Sequence, residues 1–490
     1  MMVYEPEAFP TESQPYLHDV TGNAWIPMYK HDCSFGPEIF ESKMLNVIKN
    51  PNLNSSWLFR ADIIYDDVDD DDKDSSVEVG SVKPLSLDLE DLPTHRSLVR
   101  TMVPRNAKRD RPLDQTCTFH RAERQDGTVR SAVIYFPHVD SPQDMPFYHP
   151  KVRGIAYLHD YDAASSRGTI SIHYLAFPEH PLSPAPDPKL ARIAYHLLEI
   201  LHKHGEAPDY AKRVHHDVVV PQARFQNRYA ALKASYAREL IGGWAETTDP
   251  DKHVFEDLGI AAFLIELWAD MYGEENPFPG FVDIGCGNGL LVYILRREGY
   301  QGWGFDARRR KSWAQYNAPF SGTDASDSLQ QLLLLPSILT DGDEPPAPER
   351  TCHDGVFPAG TFIISNHADE LTPWTPILAA VSGCPFIAIP CCSHNLAGAR
   401  YRAPPPRDKS KGKSTYASLV DWVVRIAEDC GWDVETEMMR IPSTRNTCLL
   451  GRTRNKGADV DYGALLHKYG GVAGYKETVA QLVKAEARGH

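Results

Sequence analysis

The sequence predicts an α/β protein, with a doubly wound, mostly parallel sheet in its C-terminal half and an α+β domain before it. Three observations lead there. After Gly280, short apolar strands alternate with helices, the texture of a parallel sheet covered on both faces. Before Gly243, runs rich in β-branched and aromatic residues give way to amphipathic helices. A chain of 490 residues, 42% hydrophobic and 24% charged, amounts to two or three soluble domains. The reading divides it into an N-terminal segment (1–60), an acidic linker (61–93), the α+β domain (94–243) and the sheet domain (244–490).

Residues 1–54 have little periodicity and many turn formers. From Asp66 to Asp74 seven aspartates surround one lysine, a self-repelling run expected to be disordered. Ser131 to Phe136 and Gly168 to Ala176 read as strands. Leu190 to His204 reads as a helix with an apolar face at Ile193, Leu197, Leu198, Ile200 and Leu201, and Gly205 as a C-cap candidate. A second helix covers Gln226 to Ile241. Asp249-Pro250 opens a stronger one, an N-cap aspartate before a proline whose missing N–H costs nothing there. Beyond it, strands are expected at Phe281–Ile284, Trp303–Asp306, Thr361–Ser365 and Phe386–Ile389. Val434–Met439 and Cys448–Gly451 follow as an antiparallel edge pair. Helices are expected at Leu290–Glu298, Arg308–Tyr316, Pro376–Ala380 and Ala417–Cys430. Leu332–Leu335 fits a helix or a third strand.

No run approaches the roughly 18 apolar residues of a membrane span, and the N-terminus lacks the basic start and apolar stretch of a signal peptide. Nine scattered cysteines do not make a disulfide framework. The expectation is a soluble, cytoplasmic protein with no membrane partner. The net charge of −15 argues against a polyanionic ligand only globally, because a phosphate feels the potential within about a Debye length. Basic clusters persist at Arg96–Arg111, at Arg308, Arg309, Arg310 and Lys311, and from Arg400 to Lys413.

The most informative segment is Phe281-Val-Asp-Ile-Gly-Cys-Gly-Asn-Gly-Leu-Leu291. A strand runs into Gly285, Gly287 and Gly289 and a helix starts at once. Glycines there permit sharp turns and let a ligand reach the main chain. The spacing is G-x-G-x-G, not the G-x-G-x-x-G of dinucleotide sites, and Asp283 precedes it. This pattern resembles the first motif of class I S-adenosylmethionine-dependent methyltransferases, which have a Rossmann-like fold. Asp306 ends the next strand, where such folds place the carboxylate that accepts both ribose hydroxyls. The cofactor is therefore expected to be S-adenosylmethionine, held by Asp283, Gly285, Cys286, Gly287, Asn288, Gly289, Asp306 and Asn366. A glycine-rich turn without a ligand is the plain alternative.

Catalytic groups belong at the carboxyl ends of strands. Thr361–Ser365 leads into Asn366-His-Ala-Asp-Glu-Leu-Thr-Pro-Trp374, which departs from the (Asp/Asn)-Pro-Pro-aromatic motif of amine methylation. His367 is a candidate base with Asp369 orienting it, or Asp369 acts alone; helix capping explains both equally well. Pro390-Cys-Cys-Ser-His394 admits four readings: packed cysteines, lining of the substrate pocket, a thiolate nucleophile at Cys391 or Cys392, or metal ligands at Cys391, Cys392 and His394. No second cysteine pair sits at zinc-site spacing, so no metal is assigned.

FVDIGCGNGLLVYILRREGY with GFDARRRKSW, ISNHADELTPWTPILAA, FIAIPCCSHNL and IPSTRNTCLLGR resembles the tRNA (uracil-2′-O-)-methyltransferase family. Upstream, SIHYLAFP, KRVHHDVVVPQARFQ and KHVFEDLGIAAFLIELWADMY resemble it too, so the likeness spans about Tyr135 to Arg454. The resemblance implies methylation of the ribose of uridine 44 in serine tRNA; the basic clusters then make Arg308, Arg309, Arg310, Lys311 and Arg400 candidate RNA contacts, and residues 94–243 are expected to recognise tRNA because the catalytic fold is nearly complete without them. The lysine–aspartate–lysine–glutamate tetrad of other ribose methyltransferases is not recognisable. Two rivals remain: a pyrimidine C5-methyltransferase using Cys391 or Cys392, and a non-catalytic RNA-binding protein on the same scaffold.

Overall fold

The computed structural model describes residues 4–10, 13–15, 17–67, 82–86, 88–106, 109–124, 126–181, 187–207, 216–320, 327–339, 352–411, 414–455 and 460–482. It divides into two units, Met1–Ala211 and Lys212–His490.

The first unit is an eight-stranded antiparallel sheet with two helices. Its strands are β1 (Glu7–Ala8), β2 (Ile26–Cys33), β3 (Leu58–Asp66), β4 (Thr94–Pro104), β5 (Leu113–Glu123), β6 (Thr128–Pro137), β7 (Gly154–Asp162) and β8 (Arg167–Leu175), in the order β1-β2-β8-β7-β6-β5-β4-β3. The apolar run of β6 is continuous because both faces are covered. Val133 and Tyr135 pack beneath helices α1 (Pro37–Lys49) and α2 (Pro188–Gly205), while Ala132 and Ile134 join Leu17, Trp25 and Leu92 on the other side. Helix α2 starts on Pro188 with Asp187 Oδ1 accepting the Lys189 N–H at 2.9 Å. Gly205 is the last residue of α2 rather than its cap, and a Cβ there would collide with the Phe35 ring.

Two expected boundaries are corrected here. Residues 1–60 are not a separate segment, since β2 pairs with β8 and β3 with β4. Strand β3 also runs through position 60 into the expected linker. Asp66 accepts from Arg96, and Asp67 takes the Ser97 N–H at 2.7 Å. The rest of the aspartate run lies outside the described residues.

In the second unit, α3 (Gln222–Gly242) and α4 (Pro250–Met271) precede a seven-stranded sheet. Sequence reasoning placed α3 in the preceding domain. Its Phe225, Leu232, Tyr236 and Leu240 instead pack with Leu258, Phe263 and Leu267 of α4, so the division falls before it. The sheet contains β9 (Phe281–Ile284), β10 (Gly302–Asp306), β11 (Leu329–Gln331), β14 (Phe362–Asn366) and β15 (Phe386–Ile389), all parallel, then β16 (Trp432–Met438) and β17 (Thr447–Arg454) as an antiparallel pair. The order is β11-β10-β9-β14-β15-β17-β16. The leucines read as helix or strand split between two sheets. Leu329–Gln331 joins β10, and β12 (Leu333–Leu334) leaves to pair with β13 (Cys352–His353). Helices α3, α4 and α5 (Leu290–Arg297) share one core, and α7 (Thr375–Ser382) and α8 (Thr415–Asp429) share another, with α9 (Tyr462–Lys468) and α10 (Tyr475–Leu482). The helix expected over Arg308–Tyr316 shrinks to α6 (Trp313–Tyr316). Its upstream N–H groups are taken by side chains instead: Arg308 N by Asp306 and Ser312 N by Glu246. Among the described residues no helix is long and apolar enough to cross a membrane.

The chain entering α3 is tied to the sheet edge by Glu437 of β16. Its buried carboxylate accepts N–H groups from Asp217 at 3.1 Å, Val219 at 2.7 Å and Val220 at 3.3 Å. Glu437→Ala should therefore lower unfolding stability by about 3 kcal/mol, the order expected when buried N–H groups lose a charged acceptor. Denaturant unfolding measures it; a loss below about 1 kcal/mol would mean that water satisfies those groups.

Candidate active site

Strand β9 delivers the chain into the glycine loop, where Gly285, Gly287 and Gly289 have φ of 72°, 51° and 76°. Any L-residue is strained in that region. At Gly289 a Cβ would also lie 2.5 Å from Leu329 Cδ1, while at Gly287 it would meet no protein atom within 4 Å. The first glycine thus serves packing and the second leaves room over a cavity of about 670 Å³ that Gly285, Cys286, Gly287 and Asn288 line. The loop is rigidly held. Gly285 and Cys286 donate to Phe305 O, Trp313 Nε1 donates to Gly287 O, and Asn288 Oδ1 accepts the Leu290 N–H at the start of α5.

Asp306, at the end of β10, lines the same cavity. Its Oδ2 accepts the Gly287 N–H at 3.1 Å and its Oδ1 the Arg308 N–H at 2.9 Å. Each carboxylate oxygen has a second lone pair, so a vicinal diol still finds two acceptors. Burial raises the pKa of Asp306 despite the arginines nearby. Asp283 is 2% exposed and its Oδ1 has no hydrogen-bond partner among the described residues. Burial, and then the charge of Asp257 from α4, push its carboxyl well above the usual range. Asp257 is raised likewise, by burial and by Glu256. Unmatched acids of this kind suit a ligand carrying positive charge, and S-adenosylmethionine carries both a sulfonium and an ammonium. Asp283, Asp257 and Asp306 therefore fit that cofactor chemically.

Beyond β14 the backbone is strained at His367 (φ 51°) and Asp369 (φ 44°). Such geometry costs about 1–3 kcal/mol per residue. The strain accompanies a defined arrangement. Asn366 Nδ2 donates to Asp257 Oδ1 at 3.3 Å, and His367 Nε2 lies 3.0 Å from Glu256 Oε1. Burial disfavours charge on Glu256, but the bond to His367, with His253 and Lys252 nearby, holds its pKa below the ordinary value. An ionised carboxylate only accepts, so the neutral imidazole carries its proton on Nε2 and a lone pair on Nδ1. That Nδ1 is buried and has no partner among the described residues. The carboxylate orienting His367 is thus Glu256, from a helix read only as an apolar packing face. The adjacent acids Glu256 and Asp257, set within an otherwise apolar helix, were the available signal.

Asp369 Oδ1 accepts from the Cys391 thiol at 3.1 Å. Burial and this carboxylate push Cys391 well above the usual thiol range, and Cys392 rises for the same reasons. Both are therefore thiols at neutral pH, the wrong form for a nucleophile. Of the expected RNA contacts, Arg308, Arg310 and Arg400 line the cavity. Arg309 and Lys311 are exposed and are not among its lining residues, whereas Arg445, unremarked in the sequence, is. Within the other basic clusters Arg96 pairs with Asp66, Arg109 with Asp110, and Arg407 with Asp421 and Glu428. Arg100 is buried, bonded to Gln115 and to Ile48 O.

Comparison with known proteins agrees with both units. Residues 6–213 match a family described as "TRM44-like, N-terminal bet v1-like domain", and residues 219–324 one described as "Predicted AdoMet-dependent methyltransferase". The chain is 53% identical to the tRNA (uracil-O(2)-)-methyltransferase of Neurospora crassa over 99% of each chain. It is 38% identical to the protein of that name from Schizosaccharomyces pombe, over 99% of this chain and 98% of the other. For the Saccharomyces cerevisiae protein the identity is 34% over 96% and 95%. No solved structure matches. By full-length similarity at these identities, the chain belongs to the tRNA (uracil-O(2)-)-methyltransferase family.

Proposed function

We propose that this protein transfers a methyl group from S-adenosylmethionine to the ribose 2′-hydroxyl of a tRNA uridine, position 44 of serine tRNA by family resemblance. The observation that supports the reading is the presence in one cavity of a carboxylate able to accept from a ribose diol, Asp306, and an imidazole hydrogen-bonded to a carboxylate, His367. S-adenosylmethionine, when bound, supplies an activated methyl group on sulfur. Asp306 would accept the diol of its ribose and Asp283 and Asp257 would face its ammonium, and the parallel order β11-β10-β9-β14-β15 supports a Rossmann-like reading of the sheet. His367 Nδ1 takes the proton of the attacking hydroxyl, and Glu256 stabilises the imidazolium that results. Arg308, Arg310 and Arg400 are placed to pair with RNA phosphates. The sheet and its cavity are complete within the second unit, which leaves the N-terminal unit for tRNA recognition. All nine cysteines are free thiols, in keeping with a reducing, cytoplasmic setting.

Asp306→Ala should weaken S-adenosylmethionine binding by about 1.5–3 kcal/mol, the range for a hydrogen bond to a charged group; unchanged affinity by calorimetry in a folded variant would move the cofactor elsewhere. His367→Ala should cut single-turnover methylation by about 10²–10⁴-fold with cofactor affinity nearly intact. Glu256→Gln should cost a similar order, because an amide that donates to Nε2 shifts the imidazole proton onto Nδ1. Retention of full rate in both variants would remove the imidazole from the chemistry. Finally, mass spectrometry of unmodified tRNA incubated with enzyme should find 2′-O-methyluridine, and 5-fluorouridine RNA should form no denaturant-resistant adduct. An adduct lost on Cys391→Ser or Cys392→Ser would instead establish ring methylation.

A further inference from the structure

Asp369, Cys391 and Cys392 bring one carboxylate oxygen and two sulfurs within 4.8 Å of one another, each residue partly buried and lining the main cavity. The cluster joins the end of β14 to the end of β15, adjacent parallel strands in register from Ile363↔Phe386 to Asn366↔Ile389. The sheet itself therefore sets the spacing. Hydrogen bonding explains part of it, the Cys391 thiol to Asp369. Cys392 joins the same network through hydrogen bonds to Asp369 and Cys391, so that three potential ligand atoms converge on one point.

We propose that Asp369, Cys391 and Cys392 form a binding site for a zinc ion. Tetrahedral zinc bonds thiolate sulfur at about 2.3 Å and carboxylate oxygen at about 2.0–2.2 Å, which separates its ligand atoms by roughly 3.5–4 Å. Closing from the observed spacing needs side-chain shifts of about 1 Å or less by that geometry. Two sulfurs select a borderline-soft ion over magnesium or calcium. Each thiol releases its proton to solvent as its sulfur bonds the ion, so the burial that keeps the thiols protonated is offset by metal charge. Three protein ligands leave the fourth position open, as in catalytic rather than structural zinc sites. It faces water or, on the methyl-transfer reading above, a hydroxyl of the RNA. Arg445 competes with such an ion as a cation, its Nη1 lying 3.8 Å from Cys392 Sγ.

The test uses the full chain. Elemental analysis after purification without chelator should find about one zinc per protein. Chelator-stripped protein titrated with cobalt should show the sulfur-to-metal charge-transfer absorption of thiolate ligation. Cys391→Ser and Cys392→Ser should each diminish that band and weaken zinc at least tenfold, and Asp369→Asn should weaken zinc while keeping the band. Circular dichroism checks that each variant is folded. Failure of stripped wild-type protein to bind zinc at micromolar concentration would overturn the proposal, as would equal binding by the folded Cys391→Ser/Cys392→Ser double variant. S-adenosylmethionine calorimetry on the stripped protein separates the two readings: cofactor binding without zinc binding leaves methyl transfer standing and removes the metal site.

Discussion

Four carboxylates brought together at one end of a sheet are the constraint on which the second unit depends. Glu256 and Asp257 come from α4, Asp283 from β9 and Asp306 from β10, and all four line one cavity. Like charges so placed cannot all ionise without compensation. The protein answers each differently. Glu256 has the His367 imidazole, Asp306 has two backbone N–H groups and neighbouring arginines, and Asp257 has one long hydrogen bond from Asn366. Asp283 keeps an oxygen without a protein partner among the described residues. The deficit is greatest where the sheet's carboxyl ends open, which is where a cationic ligand gains most from binding.

The strained backbone after β14 follows from the same requirement. Asn366 must reach Asp257 and His367 must reach Glu256, both on a helix that covers one face of the sheet. Two consecutive side chains of a strand point to opposite faces, so the chain has to leave extended geometry to aim both at α4. Positive φ at His367 accomplishes this, and positive φ at Asp369 turns the next carboxylate to Cys391. Position 368 is tightly packed, for a Cβ on Gly285 would approach Ala368 Cβ to 3.0 Å. Glycine loop and strained turn therefore support each other across the adjacent strands β9 and β14.

What was legible in the sequence follows from the range of the interactions. The glycine loop, the capped start of α4 and the acid ending β10 are dictated by residues within about twenty positions, and all were read. The partnership of Glu256 with His367 spans 111 positions and leaves no periodic trace. The long apolar face of α4 concealed its two acids, because a helix hydrophobic nearly all round reads as core. In the first unit, strands such as β4 and β5 mix arginine, threonine and histidine with apolar residues on a sheet covered on both sides, so the period-two signal is blurred. The helix expected over Arg308–Tyr316 is shortened for a different reason, since the Glu246 carboxylate captures the Ser312 N–H that a helix would have paired with Arg308 O.

Charge sorting within the cavity reconciles an acidic protein with an RNA substrate. The net charge of −15 repels a polyanion at long range, but at physiological salt that field decays over about 8 Å. At shorter range Arg308, Arg310, Arg400 and Arg445 line the cavity, and Arg400 and Arg445 are exposed. The acids are buried among the strand ends, whereas these guanidinium groups are half-buried or exposed. One cavity thus presents negative groups to a small cation and positive groups to phosphate. On the reading proposed above, the buried acids would serve the cationic cofactor and the more exposed arginines the RNA phosphates.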